Sequence, residues 1–306
     1  MLVALYLPNS VPEFTPNAEQ LAKLRQRIAP HTLAAATSEP EFLNLLPTAR
    51  AAVVWSFDAS FYSRAPELRC VFTPSAGRER VAPDPNGRVN AVFGTFHGHI
   101  MAESLVAMIS FMSRRFGAAR KAQERAEWVR TPYIGTRMLR KQVALLVGYG
   151  AIGQHCAEKL HALGLQVHAL RRGHEASGAD RVFTPERLFE ALSLADHVVS
   201  LLPGDASTQG FFEARAFSAM KPSAYFYNLG RGVTVDERAL VDALEAERIA
   251  GAFLDVVVEE PLPPSSVLWR TKNLFITPHA SAMSAEYLDL YFEELAPLLR
   301  AVGSDA

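Results

Sequence analysis

The stretch Val143-Ala-Leu-Leu-Val147-Gly148-Tyr149-Gly150-Ala151-Ile152-Gly153 decides how this chain is read. Five apolar residues suit a strand buried on both faces, three glycines at fixed offsets break it, and a helical pattern then runs to Leu163. In that context each glycine has its own task. The first makes the tight turn, the second lets the backbone approach a pyrophosphate, and the third permits close helix–strand packing, with the helix N-terminus facing the anion. Gly148, Tyr149, Gly150, Ala151, Ile152 and Gly153 are therefore candidate dinucleotide contacts; a Gly-rich structural turn is the alternative.

Downstream, apolar runs recur at Gln166–Leu170, His197–Leu202, Ala224–Leu229, Ala250–Val256 and Asn273–Thr277. With Val143–Val147 they make six expected strands, enough for a full dinucleotide-binding sheet. Thr234, three residues before Glu237, has the spacing of a capping box, ahead of an inner stripe of Leu240, Leu244 and Ile249. The residue that sorts the nicotinamide cofactors is expected at the end of the second strand, where an acidic side chain would accept from ribose hydroxyls. This chain has Arg171-Arg172 there, with His174 close behind. Guanidinium groups bind a ribose phosphate through paired, charge-assisted hydrogen bonds, which predicts NADP(H) as the preferred cofactor with NAD(H) possible. A pair of solvated loop arginines is the bland alternative.

Upstream, Leu2–Leu7, Asn17–Ala29, Thr32–Ala36, Glu39–Leu46, Ala51–Phe57 and Leu68–Thr73 alternate as β, α, β, α, β, β, followed by a short run at Val89–Phe93. The pattern predicts a second parallel sheet. The Pro/Gly/Asn stretch from Ala82 to Gly87 marks a candidate domain edge, and residues His99 to about Glu127 read as one long helix with Ile100, Leu105, Met108, Ile109, Met112 and Phe116 on one side. Ala285–Val302 reads as a terminal helix.

Composition narrows the partners. Of 306 residues, 31 are Lys or Arg and 32 are Asp or Glu, so no net field exists to hold a nucleic-acid backbone or an anionic membrane. No nucleic acid and no membrane are expected, and no metal. The two cysteines, Cys70 and Cys156, are too few for a disulfide framework and read as buried small apolar residues in a reducing compartment. The apolar start, Met1–Pro8, is shorter than a signal-peptide core, which makes the expected location cytoplasmic.

Three further signals follow strands of the second series: Asn228-Leu-Gly-Arg231-Gly232, Asp255-Val-Val-Val-Glu-Glu260-Pro-Leu262, and Thr277-Pro-His279. In a doubly wound sheet the ligand lies beyond the carboxyl ends of the strands, so residues far apart in sequence converge there. Arg, Glu and His make a sensible set: a fixed cation, a carboxylate to orient an imidazole, and a general acid or base near neutral pH. Singly, each has a bland reading as a helix-end contact, a solvated loop charge or a packed surface ring.

Together with Leu201-Leu202-Pro203, these motifs arrive in the order of the D-isomer-specific 2-hydroxyacid dehydrogenases, and the chain resembles that family over nearly its whole length. The resemblance implies an α/β protein of two doubly wound parallel-sheet domains. A Rossmann dinucleotide-binding domain, residues 99–279, is inserted in a smaller flavodoxin-like substrate domain built from residues 1–98 and 280–306. It implies His279 as the general acid, Glu260 as its partner and Arg231 as the cation that binds substrate. Asp255 is similar to the residue that meets the nicotinamide amide, and Leu202 and Pro203 to the adenine-side wall; His279 also faces the cofactor. Ser75-Ala76-Gly77-Arg78-Glu79 resembles a loop whose backbone N–H groups bind the substrate carboxylate, with Ala76 and Gly77 at the matching positions. Ser75 and Glu79 depart from the usual Gly and Asp, and His97-Gly-His99 and Ala280-Ser-Ala282 also depart from the pattern.

The expected activity is NADPH-preferring reduction of a small 2-oxoacid, of the glyoxylate or hydroxypyruvate type, to the D-2-hydroxyacid, by a homodimer packed along the long helix. The rival class is a dinucleotide-sensing protein like the family's corepressors, against which the lack of long flanking tails counts. A formate or phosphite dehydrogenase is a third reading.

Overall fold

Residues 1–304 are described by a computed structural model, and they form two compact units, one from Met1–His97 with the segment from Met283 onward, the other from Gly98–Ala282. The first unit holds β1 (Leu2–Tyr6), α1 (Ala18–Arg27), β2 (Thr32–Ala35), α2 (Glu39–Leu45), β3 (Ala49–Val54), β4 (Cys70–Thr73) and β5 (Asn90–Phe93). Its sheet is parallel throughout in the order β2-β1-β3-β4-β5, the flavodoxin-like arrangement. Helix α1 starts where Asn17 accepts from the Gln20 N–H at 2.9 Å while Gln20 accepts from the Asn17 N–H at 3.1 Å, a complete capping box. The terminal helix, Tyr287–Ser304, packs on α1 through Gln20–Asp289 at 2.9 Å and Arg27–Glu293 at 3.1 Å, and buries Leu288, Leu295 and Leu299.

The second unit holds α3 (His97–Ser113), which begins one residue before it, then α4 (Phe116–Glu124), β6 (Val143–Val147), α5 (Ala151–Ala162), β7 (Gln166–Leu170), β8 (Arg181–Phe183), α6 (Leu188–Leu194), β9 (His197–Ser200), α7 (Ala214–Ala219), β10 (Tyr225–Asn228), α8 (Glu237–Glu245), β11 (Gly251–Leu254) and β12 (Leu274–Ile276). Its strands are ordered β12-β11-β10-β9-β6-β7-β8, all parallel. Successive side chains of a strand point to opposite faces. Leu145 and Val147 accordingly pack with Leu192, Phe217, Leu240 and Leu244 on one face, while Ala144 and Leu146 pack with Leu105, Ile109, Cys156 and Leu160 on the other. The order reverses between β6 and β9, and there the glycine turn opens α5.

Five expectations need correction. The sheet has a seventh strand, β8, because Arg181-Val-Phe183 carries too few apolar residues to stand out yet pairs with β7 from His168 to Leu170. The long helix is two helices: Arg115 adopts φ +53°, and Gly117 then seats flush on the Phe275 ring, where a Cβ would lie 2.3 Å away. Ile100 is half-buried and Phe116 is exposed, so neither joins the buried stripe. Asp236, not Thr234, caps α8 by accepting from the Ala239 N–H at 3.0 Å, while Thr234 donates to the Arg231 carbonyl at 2.7 Å. Of the cysteines, Cys156 is fully buried, which pushes its thiol up to about 12, whereas Cys70 is half-buried.

At the amino edge of the second sheet, His197 is fully buried between Gln142 and Tyr227. The Gln142 amide donates to the Met138 carbonyl at 2.8 Å, so its oxygen faces His197 Nε2, which carries the proton; Nδ1 then accepts from the Tyr227 hydroxyl. A neutral ring satisfies every atom, and burial pushes His197 down to about 4 from 6.5. The unfolded chain therefore takes up this proton first as pH falls, and stability worth about 3 kcal/mol is lost between pH 6.5 and 4. The urea midpoint should drop across that window, and His197→Gln should flatten the drop; equal slopes for the two proteins would contradict this account.

Candidate active site

The carboxyl edge of the second sheet is assembled by close backbone contacts. Gly148 sits at φ +93°, and a Cβ there would lie 3.0 Å from the Leu201 carbonyl. Gly230 would place a Cβ 2.4 Å from the Leu202 oxygen, and Gly232 one 2.0 Å from the Val257 carbonyl. The loops after β6, β9, β10 and β11 thus press on one another through positions where only hydrogen fits. Leu202 is half-buried and Pro203 exposed on the second of these loops.

Gly150 differs, because nothing lies within 4 Å of a Cβ built on it. It is the N-cap of α5, and the first turn of that helix, Ala151 to Gly153, presents backbone N–H groups without intrahelical acceptors at the positive end of the helix dipole. Gly153 lets the helix start close on the turn, its Cβ position being 3.1 Å from the Gly148 oxygen. An open cradle over unpaired N–H groups fits a dinucleotide pyrophosphate.

At the end of β7, Arg171 is half-exposed and donates from Nη1 to the Glu175 carbonyl at 2.8 Å, while Arg172 and His174 are exposed. Ser207 hydrogen bonds hold the Asp205 carboxyl below its usual range, and Arg172 adds a weaker pull in the same direction.

His279 and Glu260, far apart in sequence, meet at 2.8 Å between Nδ1 and Oε2. Glu260 also accepts from the Val257 N–H at 3.2 Å, which fixes the carboxylate against its own loop. Both side chains keep substantial exposure, 49% for the imidazole and 38% for the carboxylate. Arg231 follows the neighbouring strand β10; its carbonyl accepts from Asn228 Nδ2 at 3.0 Å and from Thr234 Oγ1 at 2.7 Å, and its Nη1 donates to the Gly230 carbonyl at 2.9 Å.

His279 stands at φ +53°, a left-handed conformation that a non-glycine residue holds at a cost of about 1–2 kcal/mol. Asp255 supplies the restraint. Its carbonyl accepts from the His279 N–H at 2.8 Å, and its carboxylate, 1% exposed, accepts from Thr277 Oγ1 at 2.7 Å, Ala280 N–H at 2.8 Å and Ser281 N–H at 3.0 Å. One buried side chain thereby latches the whole turn that presents the imidazole. The family resemblance implies a cofactor contact for Asp255 but not this latch, and the motifs that contain Thr277, Asn228, Gly230 and Gly232 do not show that these residues hold the loops together; the side chain after a short strand gives no sign of where its hydrogen bonds go.

In the first unit, the Ser75–Gly77 loop follows β4, with Ala76 exposed and Gly77 half-buried. Ser75 donates from Oγ to the Gly77 carbonyl at 3.2 Å and from its N–H to Thr73 Oγ1 at 3.2 Å. His97 is buried in an aromatic cluster, stacked on Phe96 and bonded through Nε2 to the Tyr287 hydroxyl at 3.0 Å. The His99 ring lies 4.0 Å from that of His155. Among the described residues, no group of three or more His, Cys, Asp or Glu could hold a metal ion, and no helix is long and apolar enough to cross a membrane.

Residues 106–281 match the D-isomer specific 2-hydroxyacid dehydrogenase, NAD binding domain. The chain is 31% identical over 262 residues to a probable 2-ketogluconate reductase of Dictyostelium discoideum, covering 80% of this chain and 76% of that protein. It is 30% identical over 244 residues to glyoxylate/hydroxypyruvate reductase A of Salmonella paratyphi B, covering 76% and 77%. The crystal structure of a D-isomer specific 2-hydroxyacid dehydrogenase family protein from Aeromonas salmonicida has the same fold, with a TM-score of 0.78 at 28% identity over 98% of this chain and 96% of that one. This chain therefore belongs to the D-isomer specific 2-hydroxyacid dehydrogenase family and is an NAD(P)-dependent enzyme of that family.

Removing the Asp255 carboxylate strands two backbone N–H groups and one hydroxyl in a closed environment. Asp255→Ala should lower unfolding free energy by about 3 kcal/mol or more, read from urea titration of the purified protein; a loss under 1 kcal/mol would show that the turn holds itself.

Proposed function

We propose that the enzyme reduces a small 2-oxoacid of the glyoxylate or hydroxypyruvate type to the D-2-hydroxyacid, with NADPH preferred over NADH. The observation that carries the reading is the His279–Glu260 pair at 2.8 Å on a turn latched by Asp255. Because Nδ1 is engaged by the carboxylate, Nε2 is the nitrogen that gives a proton to the substrate carbonyl oxygen. Glu260 stabilises the imidazolium before transfer. Arg231 supplies a fixed positive charge for the substrate carboxylate and for negative charge growing on the carbonyl oxygen. A reduced nicotinamide held by the glycine turn would supply the hydride to the carbonyl carbon, and His279 gives the proton that completes the alcohol.

Residues 1–98 and 280–306 serve as the substrate domain on this reading and residues 99–279 as the cofactor domain. In the former, the backbone N–H groups of Ala76 and Gly77 bind the substrate carboxylate. In the latter, Gly148 to Gly153 hold the pyrophosphate, Leu202 and Pro203 flank the adenine, and Asp255 lies at the nicotinamide amide with its carboxylate committed to the His279 turn. The cofactor preference rests on Arg171 and Arg172 standing at the end of β7 without an acidic neighbour in that strand end. The substrate class draws on the relative named glyoxylate/hydroxypyruvate reductase A.

Decay of nicotinamide absorbance, with NADPH and NADH each tested against glyoxylate, hydroxypyruvate, pyruvate and phenylpyruvate, checks cofactor and substrate together. The fastest decay is expected with NADPH and one of the first two acids. His279→Ala should cut kcat by about 10²–10⁴ while cofactor affinity is kept, and near-normal turnover in that variant would remove His279 from the chemistry.

Trp128, Ile134 and Met138, exposed to 93%, 74% and 75% on the segment after α4, are large apolar side chains that a homodimer would cover. Sedimentation should give twice the chain mass, and Trp128→Glu should shift it toward monomer; a monomeric parent protein would contradict the dimer.

A further inference from the structure

Tyr149 occupies the second position of the glycine turn, where the motif asks nothing of the side chain. That side chain is nonetheless 4% exposed. Its ring lies against Gly153, 3.5 Å from where a Cβ would stand, and its hydroxyl donates to the Ser177 carbonyl at 2.9 Å. Ser177 belongs to the excursion between β7 and β8 that carries Arg171, Arg172 and His174. Gly178, next in the chain, turns at φ +79°, and a Cβ there would come 3.4 Å from the same hydroxyl.

The excursion is tied at several points. Arg171 Nη1 donates to the Glu175 carbonyl at 2.8 Å within it. At its far end Asp180 accepts from the Val167 N–H at 2.7 Å and pairs with His161 Nε2 at 2.9 Å. The Tyr149 bond is of another kind, because it joins the excursion to the glycine turn itself.

We propose that Tyr149 is a positioning residue for cofactor choice: its hydroxyl sets the 171–180 excursion against the glycine turn, and so fixes the spacing between the N–H groups of α5 and the guanidinium groups of Arg171 and Arg172. The proposal rests on those arginines taking the ribose phosphate of NADPH. A ligand that spans both places feels the spacing, whereas NAD, which ends in a hydroxyl on the arginine side, engages the turn and gains little from the excursion. Losing one neutral hydrogen bond should therefore weaken the phosphorylated cofactor selectively, by roughly three- to tenfold.

Calorimetric titration of the full chain with NADP⁺ and with NAD⁺ tests this on Tyr149→Phe, which keeps the ring and its packing. The expected result is an NADP⁺ Kd raised three- to tenfold, an NAD⁺ Kd changed less than twofold, and faster amide exchange at residues 173–178. Equal weakening of both cofactors would make Tyr149 a plain support of the turn and overturn the proposal, as would no change in either. The double variant Arg171→Ala/Arg172→Ala separates the two layers. If it leaves the NADP⁺/NAD⁺ affinity ratio unchanged, the phosphate reading fails and the proposal with it. If it collapses the ratio while Tyr149→Phe does not, the phosphate reading stands and the positioning role of Tyr149 falls.

Discussion

Backbone-to-backbone contact at the carboxyl edge of the seven-stranded sheet is the constraint on which the site depends. Parallel strands spaced at the usual sheet distance deliver their loops side by side, and side chains would normally hold those loops apart. Gly148, Gly230 and Gly232 remove that obstacle at three consecutive interfaces, against Leu201, Leu202 and Val257. The loops after β6, β9, β10 and β11 become one continuous surface. Gly150 is the exception that gives the surface a use, since its missing side chain leaves an open cradle over the N-terminus of α5.

A second constraint works inside that surface. His279 is held in a left-handed conformation, and the strain is offset by Asp255, whose buried carboxylate gathers one hydroxyl and two backbone N–H groups of the same turn. The effect is to separate two jobs. Asp255 spends its hydrogen bonds on geometry away from solvent, while Glu260, partly exposed, bonds to the imidazole directly. A site built this way keeps its proton donor reachable and its backbone fixed.

Much of this architecture was legible in the chain. The alternation of apolar runs with helical patterns locates eleven of the twelve strands among the described residues to within a few residues; β8 escapes it because Arg181-Val-Phe183 has the length and charge of a loop. Apolar spacing carries through Arg114-Arg115 and so predicts one continuous helix, and nothing local announces that Gly117 must meet Phe275. Thr234 looked like a cap by spacing, yet its hydroxyl is taken by the Arg231 carbonyl, and Asp236 caps instead. In each case a contact from another strand or loop overrode a local pattern.

The sequence by itself determined the fold class, the position of the glycine turn, and the residue types gathered at positions 231, 260 and 279, because strand periodicity and glycine offsets are local properties that one segment carries alone. Only the tertiary structure decided which of those residues touch, which glycines are there for contact and which for space, and that Asp255 and Tyr149 spend their polar groups on holding loops. Hydrogen-bond partners of a side chain are chosen by whatever the fold brings within about 3 Å, and that choice is written in no single stretch of chain.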